Sequence, residues 1–476
     1  MALFTKTTEK STFGIIVGNR DVFPNRLAKE GRLEVIEVLK NLRYDYVILD
    51  EPDTKFGCIE TYEDAKKCAE LFKNHRNSII GIIVVMPNFS DEKGIANTLK
   101  MANLNVPVLV HASSDEIGEM DRTHRRDAFC GKISVTSVLY QYGIPFTLTK
   151  YHTCPIKSEI FRDDLKRFEK ICRVVRKLRK TRLGQIGTRP NAFETVRYSE
   201  KILEFNGISI EPIDLSEIFG YIDKLKDDDI KVNEKIQFIR NYTATTEIPE
   251  ESLIKLAKLA AVIEEWVIKN ELDGFAFQCW PSIVSNFGIV PCAVMSMFSE
   301  GLVPAACEVD ISGLIGMYIL QLASGTPSAI VDWNNNYGDD LNKMVLFHCS
   351  NFPKSFFQDS RMTVHPIMSE YDGEENTFGA IQGRVKTKPC TMLRIETDDI
   401  YGEIKAIVVE GKYTNDPLDT YGGYGVVEIA NLQELLKKLC RGGFAHHVAV
   451  SLNEIGDIVH EALFNYLGWN IDFFNK

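Results

Sequence analysis

Pro304-Ala305-Ala306-Cys307-Glu308-Val309-Asp310, then the apolar run Ile311–Leu322, then Ser328-Ala329-Ile330-Val331-Asp332-Trp333 decide the reading of this chain. The two flanking segments are short and apolar, bounded by turn residues, as buried strands are. The run between them has the length of a helix. Each strand ends on a carboxylate, Glu308 in the first and Asp332 in the second. A strand–helix–strand unit would set both at the carboxyl ends of strands in one sheet, where open α/β folds concentrate their chemistry. Two close carboxylates repel, and a cation between them relieves the repulsion. The plainer reading of each is a helix N-terminal charge or an ion pair with an arginine.

Outward from that unit, Met344–Cys349 reads as a short strand carrying His348. A second histidine pair lies far downstream in Gly442-Gly443-Phe444-Ala445-His446-His447. Glycines let a backbone approach a site closely, and adjacent strand residues face opposite sides. One of His446 and His447 is therefore expected to point inward. A core histidine is the alternative for each of the three. Carboxylates with imidazoles and open positions suit Mn²⁺ or another first-row divalent ion better than structural zinc. Trp333-Asn334-Asn335-Asn336-Tyr337-Gly338-Asp339-Asp340 is rich in side chains that bond hydroxyls. Asn334 could hold a polyol and Trp280 or Trp333 could stack on a sugar face; a surface turn and core tryptophans are the competing readings.

Toward the N-terminus, Thr12–Gly18, Tyr46–Leu49, Ile79–Met86 and Val106–His111 read as strands alternating with helical patterns at 25–42, 63–74, 91–102 and 131–142. That alternation indicates a parallel sheet covered on both faces. Arg162–Arg182 reads as a basic, solvated linking helix. A second α/β pattern follows, through Leu183–Gly187, Ile208–Pro212 and Gly274–Trp280. From about Ser360 the rhythm turns to β, with strands expected at Arg361–Met368, Gly379–Val385, Thr391–Thr397 and Glu403–Glu410.

Composition excludes several classes. The chain has 476 residues and is 45% hydrophobic, enough for about three domains. Its net charge of −11 offers no basic field for nucleic acid or an anionic membrane. No segment approaches the roughly 20 apolar residues of a membrane helix, and Met1–Phe13 lacks the apolar core of a signal peptide. Eleven scattered cysteines without a C-x-x-C pair suggest reduced thiols in a cytoplasmic protein. Gly184-x-x-Gly187 is no dinucleotide fingerprint, and no Walker loop is present.

Pro304–Asp310, Val331–Asp340, Leu346–Pro353 and Gly442–Val450, with Arg125–Gly131 and Arg189–Tyr198, resemble the L-fucose isomerase and L-arabinose isomerase superfamily, most of all its shorter L-fucose isomerase-like branch. The resemblance implies an α/β fold with two Rossmann- or flavodoxin-like parallel-sheet domains, 1–160 and 161–355, and a β-rich, antiparallel, barrel-like domain, 356–476. It implies a homo-oligomer, a hexamer or trimer, with a shared active site. Glu308 and Asp332 match the carboxylates that bind Mn²⁺ and shuttle protons. His447, ahead of His446, matches the distal ligand, and His348 matches a ligand of the arabinose branch. The implied activity is an aldose–ketose isomerisation of an open-chain sugar through an enediolate. The alternatives are the same chemistry on an acidic or sulfonated hexose, signalled by arginines such as Arg20, Arg125 or Arg189 at the sugar tail, and a non-catalytic sugar-binding protein.

Overall fold

The computed structural model describes residues 10–349 and 351–474. Most of the segment Met1–Phe13, and Ser350, lie outside the described residues. The chain divides into two compact units. One ends at Arg176 and takes in Glu461–Gly468; the other runs over Lys177–His460 and resumes at Trp469.

The N-terminal unit is built on β1 (Thr12–Val17), β2 (Asp45–Val47), β3 (Ile79–Met86), β4 (Val108–Ala112) and β5 (Thr147–Leu148). They lie in the order β2-β1-β3-β4-β5, all parallel. All eight residues of β3 are buried, as an uninterrupted apolar run at the centre of a two-faced sheet must be. The basic helix expected to be solvated, Glu159–Leu178, is instead half core. Phe161, Leu165, Phe168 and Cys172 are fully buried with β1 and β3 side chains. Their spacing of four, three and four residues makes one apolar stripe, which the density of Arg and Lys on the opposite face disguises.

The second unit opens with β6 (Thr181–Ile186), β7 (Ile208–Ile213), β8 (Gly274–Phe277) and β9 (Ala305–Cys307), parallel in the order β7-β6-β8-β9. Nine further strands form one mixed, mostly antiparallel sheet: β10 (Ala329–Tyr337), β11 (Asp340–His348), β12 (Phe357–Val364), β13 (Phe378–Val385), β14 (Pro389–Asp398), β15 (Glu403–Tyr413), β16 (Gly423–Glu428), β17 (His447–Ser451) and β18 (Asn470–Phe474). Pairing of β15 with β16 closes β16-β11-β10-β17-β14-β15 into an antiparallel barrel. The expected class, two parallel α/β sheets followed by a β-rich barrel, is the observed one.

One expectation within it fails. Glu308 and Asp332 do not share a sheet. Glu308 follows β9 of the parallel sheet, whereas Asp332 lies on β10 of the barrel. The intervening helix, Ile311–Ser324, is apolar all round and buried from Ile311 to Ala323, so it needs cover on both sides. A Cβ at Gly316 would come 3.1 Å from that of Ala449 on β17, so the helix seats closely on the barrel. β10 therefore pairs with β17 instead of returning to β9. The polar run Trp333–Asp340 is likewise no free loop. It is the arm of a hairpin in which Tyr337 faces Asp340 across a turn with Gly338 at φ 54°.

Candidate metal centre

Strand β9 ends on a strained turn. Glu308 and Val309 both have left-handed backbone, φ 59° and 58°, a conformation costly for any side chain and more so for a β-branched one. Asp310 ends the turn and caps the buried helix, accepting the Gly313 N–H at 2.8 Å. The turn aims the buried Glu308 carboxylate across to the barrel. There Asp332 on β10 is the direct cross-strand partner of His447 on β17.

The atoms converge. His447 Nε2 lies 3.0 Å from Glu308 Oε2 and 3.5 Å from Asp332 Oδ1. Its Nδ1 lies 2.9 Å from Asp310 Oδ2. His348, buried at the end of β11, has its ring centre 5.5 Å from that of His447. His446 stands at the mouth, 43% exposed, with Nε2 3.8 Å from Asp332 Oδ1. One ligand atom each from Glu308, His348 and His447 fall within 4.8 Å of one another, and so do those of Asp332, His446 and His447.

Burial works against the charge on Glu308, but His447, His348 and the Trp280 indole outweigh it and hold the carboxyl below its ordinary range. Burial pushes His348 and His446 down, toward the neutral imidazole. Burial opposes the proton on His447 too, yet Asp310 and Glu308 raise its pKa to about 10. Apart from the His447 ring, the buried oxygens Glu308 Oε2 and Asp332 Oδ1 have no hydrogen-bond partner. Glu308, Asp310, Asp332 and Glu396 set four carboxylates against the Arg394 guanidinium in this region. Orphaned carboxylate oxygens facing an imidazole nitrogen, in an excess of buried negative charge, fit a divalent cation.

Other expected residues fall in different places. Trp280, three residues beyond β8, donates its indole N–H to Glu308 Oε1 at 2.9 Å, so it orients a carboxylate. Trp333 packs against the core with its indole nitrogen buried and unpartnered. Asn334 is exposed on the hairpin arm and accepts from the Asn335 amide. Arg20 belongs to the N-terminal unit, where it pairs with Glu92 and the Phe89 and Ser90 carbonyls. Arg125 pairs with Asp127 at 2.7 Å, and Arg189 bonds the Pro190 and Asn191 carbonyls.

Sequence reasoning assigned no role to Asp310, Arg394, Glu396 or Phe193. Asp310 carried a legible signal, an Asp immediately before an apolar helix. Phe193 covers the centre from a surface segment, its ring 5.4 Å from Trp280, 5.7 Å from His446 and 6.4 Å from His447. Burial pushes the Cys292 and Cys349 thiols up, and Cys279 beside it with burial does the same to Cys307. None is a thiolate nucleophile.

A carboxylate–imidazole centre assembled between a parallel sheet and a closed barrel has the groups for acid–base chemistry, and the comparisons give its class as an isomerase. Residues 14–179 match the family described as fucose/sulfoquinovose isomerase, N-terminal domain, and residues 346–474 match L-fucose isomerase, C-terminal domain. The chain belongs to the L-fucose isomerase-like superfamily. It is 25% identical over 343 residues to the sulfoquinovose isomerase of Priestia aryabhattai, covering 70% of this chain and 72% of that one. Those of Clostridium sp. (strain MSTE9) and Alkalicoccus urumqiensis are each 22% identical, over 60% and 61% of this chain and 63% and 65% of theirs.

Proposed function

We propose that this protein is a metal-dependent aldose–ketose isomerase whose substrate is a sulfonated hexose, sulfoquinovose, in its open-chain form. The observation that carries the chemistry is the convergence of two carboxylate oxygens, Glu308 Oε2 and Asp332 Oδ1, on His447 Nε2, with no other hydrogen-bond partner for either. The sulfonated substrate rests on the matched N-terminal family and on the relatives. In this reading Glu308, Asp332, His447 and His348 hold a divalent ion such as Mn²⁺. When bound, that ion supplies a Lewis acid for paired sugar oxygens and eases negative charge there.

The chain's own residues do the proton work. Glu308 is held ionised by its surroundings, so it takes the C2 proton. Asp332 passes a proton between the two oxygens, and the C2 proton returns at C1. Trp280 fixes the Glu308 oxygen that faces away from His447. Phe193 and the His446 ring wall the mouth and limit water. A homo-oligomer with a shared site belongs to the same reading; light scattering tests it.

The deciding experiment offers sulfoquinovose, D-glucose and L-fucose to EDTA-stripped and Mn²⁺-loaded protein, with isomer ratios followed by NMR. Sulfoquinovose should be converted only by the loaded protein, at least about a hundredfold faster than the others. Equal or faster turnover of L-fucose overturns the substrate, and full activity after stripping overturns the metal.

A further inference from the structure

Asp310 makes more contacts than any helix cap requires. It is fully buried. Its Oδ1 accepts the Gly313 N–H at 2.8 Å, which fixes the first turn of the helix Ile311–Ser324. Its Oδ2 takes the His447 ring at Nδ1, 2.9 Å away, and the Arg394 guanidinium at 2.5 Å. Arg394 is also fully buried and donates from Nε to Glu396 Oε1 at 2.7 Å. Glu396 in turn accepts the Ala445 N–H at 2.8 Å, two residues before His447 in the chain. The network thus holds both the backbone leading into β17 and the ring that β17 carries.

The chemistry of these groups sets a direction. A carboxylate also taking an arginine can only accept, so Nδ1 of the His447 ring keeps its hydrogen. Nε2 is then the nitrogen that gives up its proton to a cation, and it faces Glu308 Oε2 and Asp332 Oδ1, 3.0 and 3.5 Å away. The same Asp310 closes the left-handed turn at Glu308 and Val309. One carboxylate therefore ties the parallel-sheet half of the centre to the barrel half, and nothing else among the described contacts bonds both the helix start and the His447 ring.

We infer that Asp310, anchored by Arg394, is the positioning residue of the centre: it fixes the tautomer and orientation of His447 so that Nε2 faces the cation position. This rests on the reading that the centre takes a divalent cation. Partners of this kind behind a metal-binding histidine set affinity by roughly 10–100-fold.

The test strips wild-type protein, Asp310→Asn and Gly316→Ala with EDTA and titrates each with MnCl₂, reading free Mn²⁺ by electron paramagnetic resonance. Gly316→Ala crowds the same buried helix against Ala449 and the Leu393 carbonyl while keeping every side chain of the centre, and controls for loss of stability alone. Thermal melts establish that each variant is folded. Asp310→Asn should raise the Mn²⁺ dissociation constant by roughly 10–100-fold, with kcat recovering in part at saturating Mn²⁺, while Gly316→Ala stays within about threefold of wild type. If Asp310→Asn does not fold, Asp310→Asn with Arg394→Met removes both buried charges together and should show the same weakening. Wild-type affinity in the Asp310 variant, or equal weakening in Gly316→Ala, overturns the inference and leaves the metal reading standing. Wild type that binds no divalent ion overturns the metal reading itself, and this inference with it.

Discussion

Asp332 and His447 are register partners on adjacent antiparallel strands, and Oδ1 of one lies 3.5 Å from Nε2 of the other. A pair made this way is set by the sheet. A one-residue slip of β10 against β17 would turn one side chain to the other face and dissolve the centre. Both strands are pinned by their alternate residues Ala329, Val331, Val448 and Val450, which are buried in one core.

The proton-transfer roles predict a specific loss. Glu308→Gln and Asp332→Asn keep size and remove charge. Each should lower turnover about 10²–10⁴-fold without changing the circular dichroism spectrum. Near wild-type turnover in either, measured with excess Mn²⁺, takes that carboxylate out of the chemistry.

Trp280→Phe removes the N–H that Glu308 Oε1 accepts at 2.9 Å, with part of the ring that packs edge-on to Phe193. That bond favours the ionised carboxylate and helps hold its pKa down. Its loss should raise the pKa of Glu308, so the acidic limb of the kcat/KM profile should move to higher pH. A limb that stays in place, or moves to lower pH, contradicts the assignment of Glu308 as base.

Protons and cation compete for His447. In the metal-free centre burial works against its proton, but Asp310 and Glu308 hold that proton up to about pH 10. Cation binding at pH 7 must displace it, so affinity should climb with pH through 6.5 to 8.5, by at most about tenfold per unit. Calorimetry in buffers of different ionisation enthalpy reads the released proton directly. Affinity that is flat over this range places the ligand elsewhere.

Gly316→Ala tests the packing that separates Glu308 from Asp332 into two sheets. Its Cβ would lie 3.1 Å from both Ala449 Cβ and the Leu393 carbonyl oxygen. The crowding should cost about 1–3 kcal/mol, read as a lower urea midpoint with an unchanged slope.

The eleven cysteines are all free thiols. Cys130 and Cys440 are the exposed ones, and Cys349 is partly covered. Native protein should therefore give two fast thiols with a thiol-specific disulfide reagent, and the remainder only on unfolding. Fast labelling of Cys279 or Cys307 would mean that the candidate centre opens readily.

The sequence alone determined the class of fold and pointed to most residues of the candidate centre. Apolar runs bounded by turns announce parallel strands, because a strand buried on both faces has no polar side to show. A carboxylate ending such a run announces chemistry, because burying it without a partner is costly; Glu308 and Asp332 were legible on that ground, and His446-His447 as a histidine pair behind two glycines. What the tertiary structure decided is how they meet. Local pattern cannot tell a strand that returns to its own sheet from one that joins another, since both read as short and apolar. Here a helix buried on every side stands between β9 and β10, so Asp332 pairs with β17 and meets Glu308 across the junction. The same blindness hid Arg394 and Glu396, 84 and 86 residues beyond Asp310 in the chain, whose charges acquire a role only when folding buries them beside it.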